Sequence, residues 1–247
     1  MIDLSSLGGT TDSGNNDAAN NDTGNNDDAG NDGDASNSCS GTHILCENFD
    51  DDGGWDSSVW KEQKQYATMA VVTDDFRSAP GSLRITADAA AAHGVLLGTF
   101  PVPVQHFTCS VWLRISNFKT GYLIDVSPVI LYDITDPNFV DYEILLQGYN
   151  GNGSLDLLTE TQDAAVESAQ SLNVSVIDGA WHQLFVTLHL DWPPTATMAI
   201  DNPGKGITRA ITPPASISSI SFEIGLPNAG TAGAWTANFD DAVCDPM

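Results

Sequence analysis

The residues best suited to chemistry in this chain lie on runs of strict alternation. In 107–115 the apolar set Phe107, Cys109, Val111, Leu113 and Ile115 recurs at every second position. A strand with that pattern turns Ser110, Trp112 and Arg114 to its other face. In 141–149 the same alternation sets Glu143, Gln147 and Tyr149 apart from Tyr142, Ile144 and Leu146. An aromatic plane beside a carboxylate, an amide and a guanidinium suits a sugar ring, which stacks through its C–H face and hydrogen-bonds through its hydroxyls. Trp112, Arg114, Glu143, Gln147 and Tyr149 are therefore the candidate ligand-binding residues, provided that their faces coincide on one concave sheet. The plainer expectation is an Arg114–Glu143 salt bridge with Trp112 as packing. No G-x-S-x-G elbow, H-E-x-x-H pair or Gly-rich loop ending in Lys-Ser/Thr is present, so the common nucleophile, zinc and phosphate signatures are missing.

The elements that must position these residues are short apolar runs rich in Val, Ile, Leu and aromatics, separated by Gly, Pro, Asn and Asp clusters. Strands are predicted over 107–115, 122–132, 142–147, 181–190, 197–200, 217–224 and 237–244, with weaker ones over 43–49, 82–87, 95–100, 154–159 and 172–176. Only 161–171 looks capable of a helical turn. Many short strands without amphipathic helices between them argue for an antiparallel sandwich.

Residues 5–41 are almost wholly Ser, Thr, Gly, Asn, Asp and Ala, and hold no Lys, Arg, Glu or aromatic residue. Such a stretch cannot bury enough apolar surface to offset its ordering entropy. Its ten-residue repeat, DSGNND at 12–17 and DTGNND at 22–27, lacks the spacing of an EF-hand loop. Residues 1–42 are thus expected to be a disordered acidic tether, and 43–247 a single folded domain. The formal charge is -25, from 8 Lys plus Arg against 33 Asp plus Glu, which repels a polyphosphate partner and excludes nucleic acid. Neutral glycans, cations and calcium suit it better. Cys39, Cys46, Cys109 and Cys244 form an even set outside any C-x-x-C pair, which favours disulfides in an oxidising compartment and leaves three pairings open. No apolar run is long enough to span a membrane, and residues 1–4 lack the marks of an export signal. The expectation is an extracellular or cell-surface protein whose export signal is not in this chain.

Five segments in order resemble the laminin G-like branch of the concanavalin A-like jelly rolls. These are LCENFDDDGGW at 45–55, SAPGSLRI at 78–85, FTCSVWLR at 107–114, DGAWHQLFVT at 178–187 followed by AIDNPG at 199–204, and FDDAV at 239–243. The resemblance covers about 43–247 and implies an all-β antiparallel jelly-roll sandwich. It makes 109 and 244 neighbours on adjacent strands, and so favours pairing Cys39 with Cys46 and Cys109 with Cys244. It also implies a structural Ca2+, with Asp240 as the closing-strand ligand and Glu47 and the 50–53 turn as opening-strand contributors, since hard oxygen donors suit that ion. The alternative is that Asp240 and Asp241 mark a bulge at a solvated edge. A Trp181-His182 pair opening a strand puts an amphipathic ring at the sandwich rim, so His182 is expected to be structural.

Enzymes occur on this fold, but their motifs are missing. The six Glu, at 47, 62, 143, 160, 167 and 223, never form the E-x-D-x-x-E strand of laminarinase-type glycosidases. The R-x-E-x-R and Q-x-H pairs of alginate lyase-like relatives are also absent. The reading is a non-catalytic, exported, surface-tethered module whose partner is a glycan or another extracellular ligand. A polysaccharide hydrolase or lyase on the same fold, and a structural or adhesion domain without a small ligand, are the alternatives.

Overall fold

The structure, a computed structural model, describes residues 39, 41–50, 54–87, 92–117, 124–133, 140–148, 154–161, 166–226 and 235–247, with the backbone course alone for most of the strands between 140 and 171. The chain divides into 1–33 and 34–247, and the second unit is the one described. Most of the acidic arm expected over 1–42 lies outside the described residues.

Fifteen strands run through the described residues: β1 (Leu45–Glu47), β2 (Trp60–Gln65), β3 (Ala67–Val72), β4 (Ser82–Ala87), β5 (His93–Pro101), β6 (His106–Ser116), β7 (Ile124–Asp133), β8 (Val140–Gly148), β9 (Ser154–Thr161), β10 (Val166–Ser175), β11 (His182–His189), β12 (Thr195–Ile200), β13 (Ile207–Ala210), β14 (Ser219–Leu226) and β15 (Trp235–Pro246). They form two antiparallel sheets. One has the order β13-β12-β11-β6-β15-β4-β3, with β1 also on β15, and the other runs β10-β9-β8-β7-β14-β5-β2. This is the antiparallel sandwich expected from the alternation.

The alternation is what fills the space between the sheets. Along β6 every second side chain, from Phe107 to Ile115, is buried, and β11 repeats the pattern with Leu184, Val186 and Leu188. Phe222, Ile224, Leu131 and Phe100 face them from the second sheet, and Phe100 meets Phe107 edge to face at 5.1 Å between ring centres. Each such side chain, fully withdrawn from water, contributes about 1.5–3 kcal/mol.

β15 breaks the period once, and this matters for the chemistry. Its buried core residues are Trp235, Ala237 and Phe239, then Ala242 and Cys244. The parity inverts because β15 gains one residue against β6 between Asp240 and Val243, with Asp241 at φ 45°. The bulge brings Cys244 opposite Cys109, to which it is disulfide-bonded; the other pair is Cys39 with Cys46. Because Cys39 is fastened to β1, the folded unit begins before residue 43.

Of the helical turn expected over 161–171, the described residues are strand: β9 runs to Thr161 and β10 begins at Val166, with Ala169 opposite Leu158, while 162–165 lie outside the described residues. Pairing along a neighbouring strand overrides the helix preference of Ala, Glu and Gln in that segment. The strands β2, β3 and β13 were not expected either. Apart from the buried Trp60, β2 is exposed and carries Lys61, Glu62 and Lys64 at the sheet edge, where charge discourages pairing with a second chain.

Candidate functional site

Trp112 and Arg114 lie on the outer face of the eight-stranded sheet, where both are partly covered. The connection between β3 and β4 crosses that face and is fastened to it side chain by side chain. Arg114 Nη1 donates to Asp75 Oδ1 at 2.6 Å, and Arg84 Nη2 approaches Asp74 Oδ1 at 2.8 Å. Asn238 donates to the Asp75 carbonyl at 3.0 Å, and the guanidinium of Arg77 lies 4.5 Å from the centre of the Trp112 ring. The ring face under that cation is not open to a sugar.

Glu143 and Gln147 are on β8, in the seven-stranded sheet. The five candidates therefore do not make one face, and the expected Arg114–Glu143 bridge is replaced by Arg114–Asp75. The alternating pattern identifies the two faces of a strand but carries no information on which sheet receives it. Glu143 sits in register between Ile130 and Glu160, and Gln147 between Asp125 and Asp156. Tyr149 lies outside the described residues.

Asp240 is fully buried at the β15 bulge, where it anchors the same covering connection. Its Oδ2 accepts the Arg77 and Ser78 amides at 2.8 and 2.9 Å, and its Oδ1 accepts the Asp241 amide at 2.9 Å. Burial pushes its pKa up to about 7 against the pull of these amides, and the Asp241 carboxylate adds to the rise. Glu47, also buried, accepts the Phe49 amide at 3.1 Å through Oε1 and the Asp56 amide at 3.0 Å through Oε2. A calcium site needs oxygen donors turned inward on the ion. Here the described partners of both carboxylates are backbone N–H groups, and residues 51–53 of the expected opening-strand turn lie outside the described residues.

His182 is nearly buried between two carboxylates. Its Nδ1 is 2.8 Å from Asp201 Oδ2 and its Nε2 is 3.0 Å from Asp178 Oδ1, while Asp201 Oδ1 accepts the Gln183 amide at 2.8 Å. Burial lowers the ring's pKa, but the bonds to Asp201 and Asp178 outweigh it and the net shift is upward. This is the clasp of a strand end, in keeping with a structural role.

The open surface is elsewhere. Between β11 and β12 the chain reads Asp191-Trp192-Pro193-Pro194, and Trp192 is 90% exposed, far more than any other large apolar side chain described. Pro193, Pro194, Ala210, Ile211 and Pro213 line a groove of about 400 Å3 beside it. The groove is held in place because Ile211 N donates to the Pro194 carbonyl at 3.1 Å and Leu190 N to the Gln105 carbonyl at 2.8 Å. Next to it, the register partners His106 and His189 bring their Nδ1 atoms to 2.8 Å, and Asp191 Oδ2 lies 3.5 Å from His106 Nε2. Strand alternation could not single out Trp192, which belongs to no strand. The available signal was a Trp followed by two prolines between strands, where propensity calls for polar turn residues.

No family model matches this chain, and no curated protein does. Solved structures do. The chain is similar to endo-β-1,4-glucuronan lyase from the fungus Trichoderma reesei, with a TM-score of 0.61 and 12% identity over 83% of this chain and 96% of that one. It is similar to the cellulose-induced protein Cip1, with a TM-score of 0.57 and 17% identity over 82% and 97%. It is also similar to the carbohydrate recognition domain of Emp47p, with a TM-score of 0.57 and 11% identity over 83% and 96%. At such identities the likeness is one of fold, and the fold is the concanavalin A-like jelly roll.

Proposed function

We propose that this chain, a concanavalin A-like sandwich, is an exported, surface-tethered, non-catalytic module that binds carbohydrate, with Trp192 as its stacking plane. The observation that carries the reading is the near-complete exposure of Trp192 beside a preformed apolar groove. An indole costs free energy when left in water, and its flat face matches the C–H face of a sugar ring. Proteins of the same fold include one named as a carbohydrate recognition domain and another named for a polysaccharide-cleaving activity. Two disulfides support an oxidising compartment, and among the described residues no helix is long and apolar enough to cross a membrane.

The test is binding to a glycan array and co-sedimentation with insoluble neutral polysaccharides. Trp192→Ala is expected to weaken binding at least about tenfold, or about 1.4 kcal/mol, without changing the melting temperature. Binding that survives this substitution undiminished rules out the Trp192 site.

A second reading, polysaccharide cleavage, is favoured by the lyase and carbohydrate esterase among the structures of similar fold and by the polar register row Asp125, Gln147, Asp156 and Ser171 on the seven-stranded sheet. Release of unsaturated ends or of acyl groups from a uronic-acid polymer, abolished by Gln147→Ala, would establish it.

A further inference from the structure

We propose that His106, His189 and Asp191 form a binding site for a divalent first-row transition ion of the Zn2+ or Cu2+ kind. The proposal does not depend on the sugar reading. One ligand atom from each residue lies within 4.8 Å of the other two, the only such group of three among the described residues. Two imidazole nitrogens and one carboxylate oxygen are a donor set that suits these ions and leaves a coordination position open.

The facing nitrogens are the central observation. His106 Nδ1 and His189 Nδ1 stand 2.8 Å apart, with the rings inclined at 67°. In the neutral protein one must present N–H and the other a lone pair, and in the doubly charged protein two N–H groups collide. A cation accepting a lone pair from each removes that conflict after a small separation of the rings. The backbone already holds both residues. They are the last register pair of β6 and β11, and the His106 carbonyl accepts the Met247 amide at 3.1 Å. Asp191 is exposed and follows His189 by two residues; its Oδ2 lies 3.5 Å from His106 Nε2, and a side-chain rotation is needed to carry it onto an ion held between the two Nδ1 atoms. Both rings are only half-buried, which leaves an entry path. The carboxylate compensates the ion's charge within a chain of net charge -25.

That same acidity dictates the control, because many Asp side chains bind cations loosely. Zn2+ is titrated into the full chain by calorimetry in the presence of millimolar Ca2+ and Mg2+, which saturate oxygen-only sites. The expected result is one Zn2+ per chain at micromolar affinity, weakened at least tenfold in His189→Ala and in His106→Ala and less in Asp191→Asn. Melting curves without added metal verify that each variant is folded. Cu2+ bound to the wild type is expected to show hyperfine coupling to two imidazole nitrogens in its electron paramagnetic resonance spectrum, and to one in His189→Ala. Zn2+ affinity unchanged in folded His106→Ala and His189→Ala, or no Zn2+ binding in the presence of Ca2+ and Mg2+, overturns the proposal. A two-nitrogen spectrum that persists in His189→Ala overturns it independently.

Discussion

His182 clamps the opening of β11 to the turn after β12 through Asp201, and to the preceding loop through Asp178. With a carboxylate at each ring nitrogen, the doubly protonated form has a partner for both N–H groups. Its folded pKa lies above the ordinary value of 6.5, so the native state binds the proton more tightly. The stability it contributes is therefore complete below that ordinary value and is lost as pH rises through the folded one. His182→Gln is expected to lower the melting temperature more at about pH 5 than at about pH 9. Equal losses at both pH values would refute the ionic clamp. Asp240 acts in the same direction. A carboxyl raised to about 7 from 3.8 binds more protons folded than unfolded between those values, so its contribution makes stability fall as pH rises across that window. Asp240→Ala leaves the Arg77, Ser78 and Asp241 amides without their acceptor and is expected to cost about 2–4 kcal/mol in chemical denaturation. Because those amides already serve the carboxylate, replacing chelator with millimolar Ca2+ is expected to leave the melting temperature unchanged; an upward shift would establish the ion.

Among the elements, the β3–β4 connection decides what the outer face of the eight-stranded sheet can do. It engages Trp112 and Arg114, through Arg77 and Asp75, and leaves both only partly exposed, so Trp112→Ala is expected to destabilise the fold rather than remove a ligand. The β5–β14 pairing is the tightest approach. Gly225 has φ +145°, and a Cβ there would lie 2.2 Å from the Gly94 carbonyl oxygen, which is backbone and cannot yield. Gly225→Ala is therefore expected to yield insoluble or unfolded protein, whereas an alanine at Gly179, where nothing lies within 4 Å, meets only the strain of φ +78°. These elements also show where sequence reading reaches its limit. Alternation in 107–115 located β6 and its core face, and the bulge offered as the alternative at Asp240 and Asp241 is present, but in a strand between β6 and β4 with Asp240 buried and not at a solvated edge. Both are local signals written in consecutive residues. That β6 and β8 fall in different sheets, that a polar connection roofs Trp112, and that His106 meets His189 across 83 positions are consequences of long-range pairing. Residues 166–171 differ from the expected helical turn for the same reason, since they form a strand paired with β9.

Over the whole molecule, the two disulfides enclose very different lengths of chain. Cys109–Cys244 spans 135 residues and Cys39–Cys46 only 7. In the chain-entropy account the longer closure restricts the unfolded ensemble by about 4–5 kcal/mol, and the shorter by clearly less. Replacing Cys109 and Cys244 together is expected to lower the denaturation midpoint more than replacing Cys39 and Cys46, and urea unfolding of the two double variants measures the difference. The pairing of β1 with β15 carries a mechanical consequence as well. Leu45 lies opposite Cys244 and the Ile44 amide bonds the Cys244 carbonyl, so the leading end of β1 and the trailing end of β15 emerge side by side. A tensile load applied between Cys39 and Met247 acts in the peeling direction, on one hydrogen bond at a time. The sulfur bridges relay it, from Cys39 to Cys46 at one end and from Cys244 to Cys109 in the middle of the sheet at the other. Neither bridge joins β1 to β15, so under oxidising conditions the load enters β1 at Cys46 and leaves β15 through β6, with the β1–β15 pairing still in its path. Under reducing conditions β1 becomes the first piece to be stripped away.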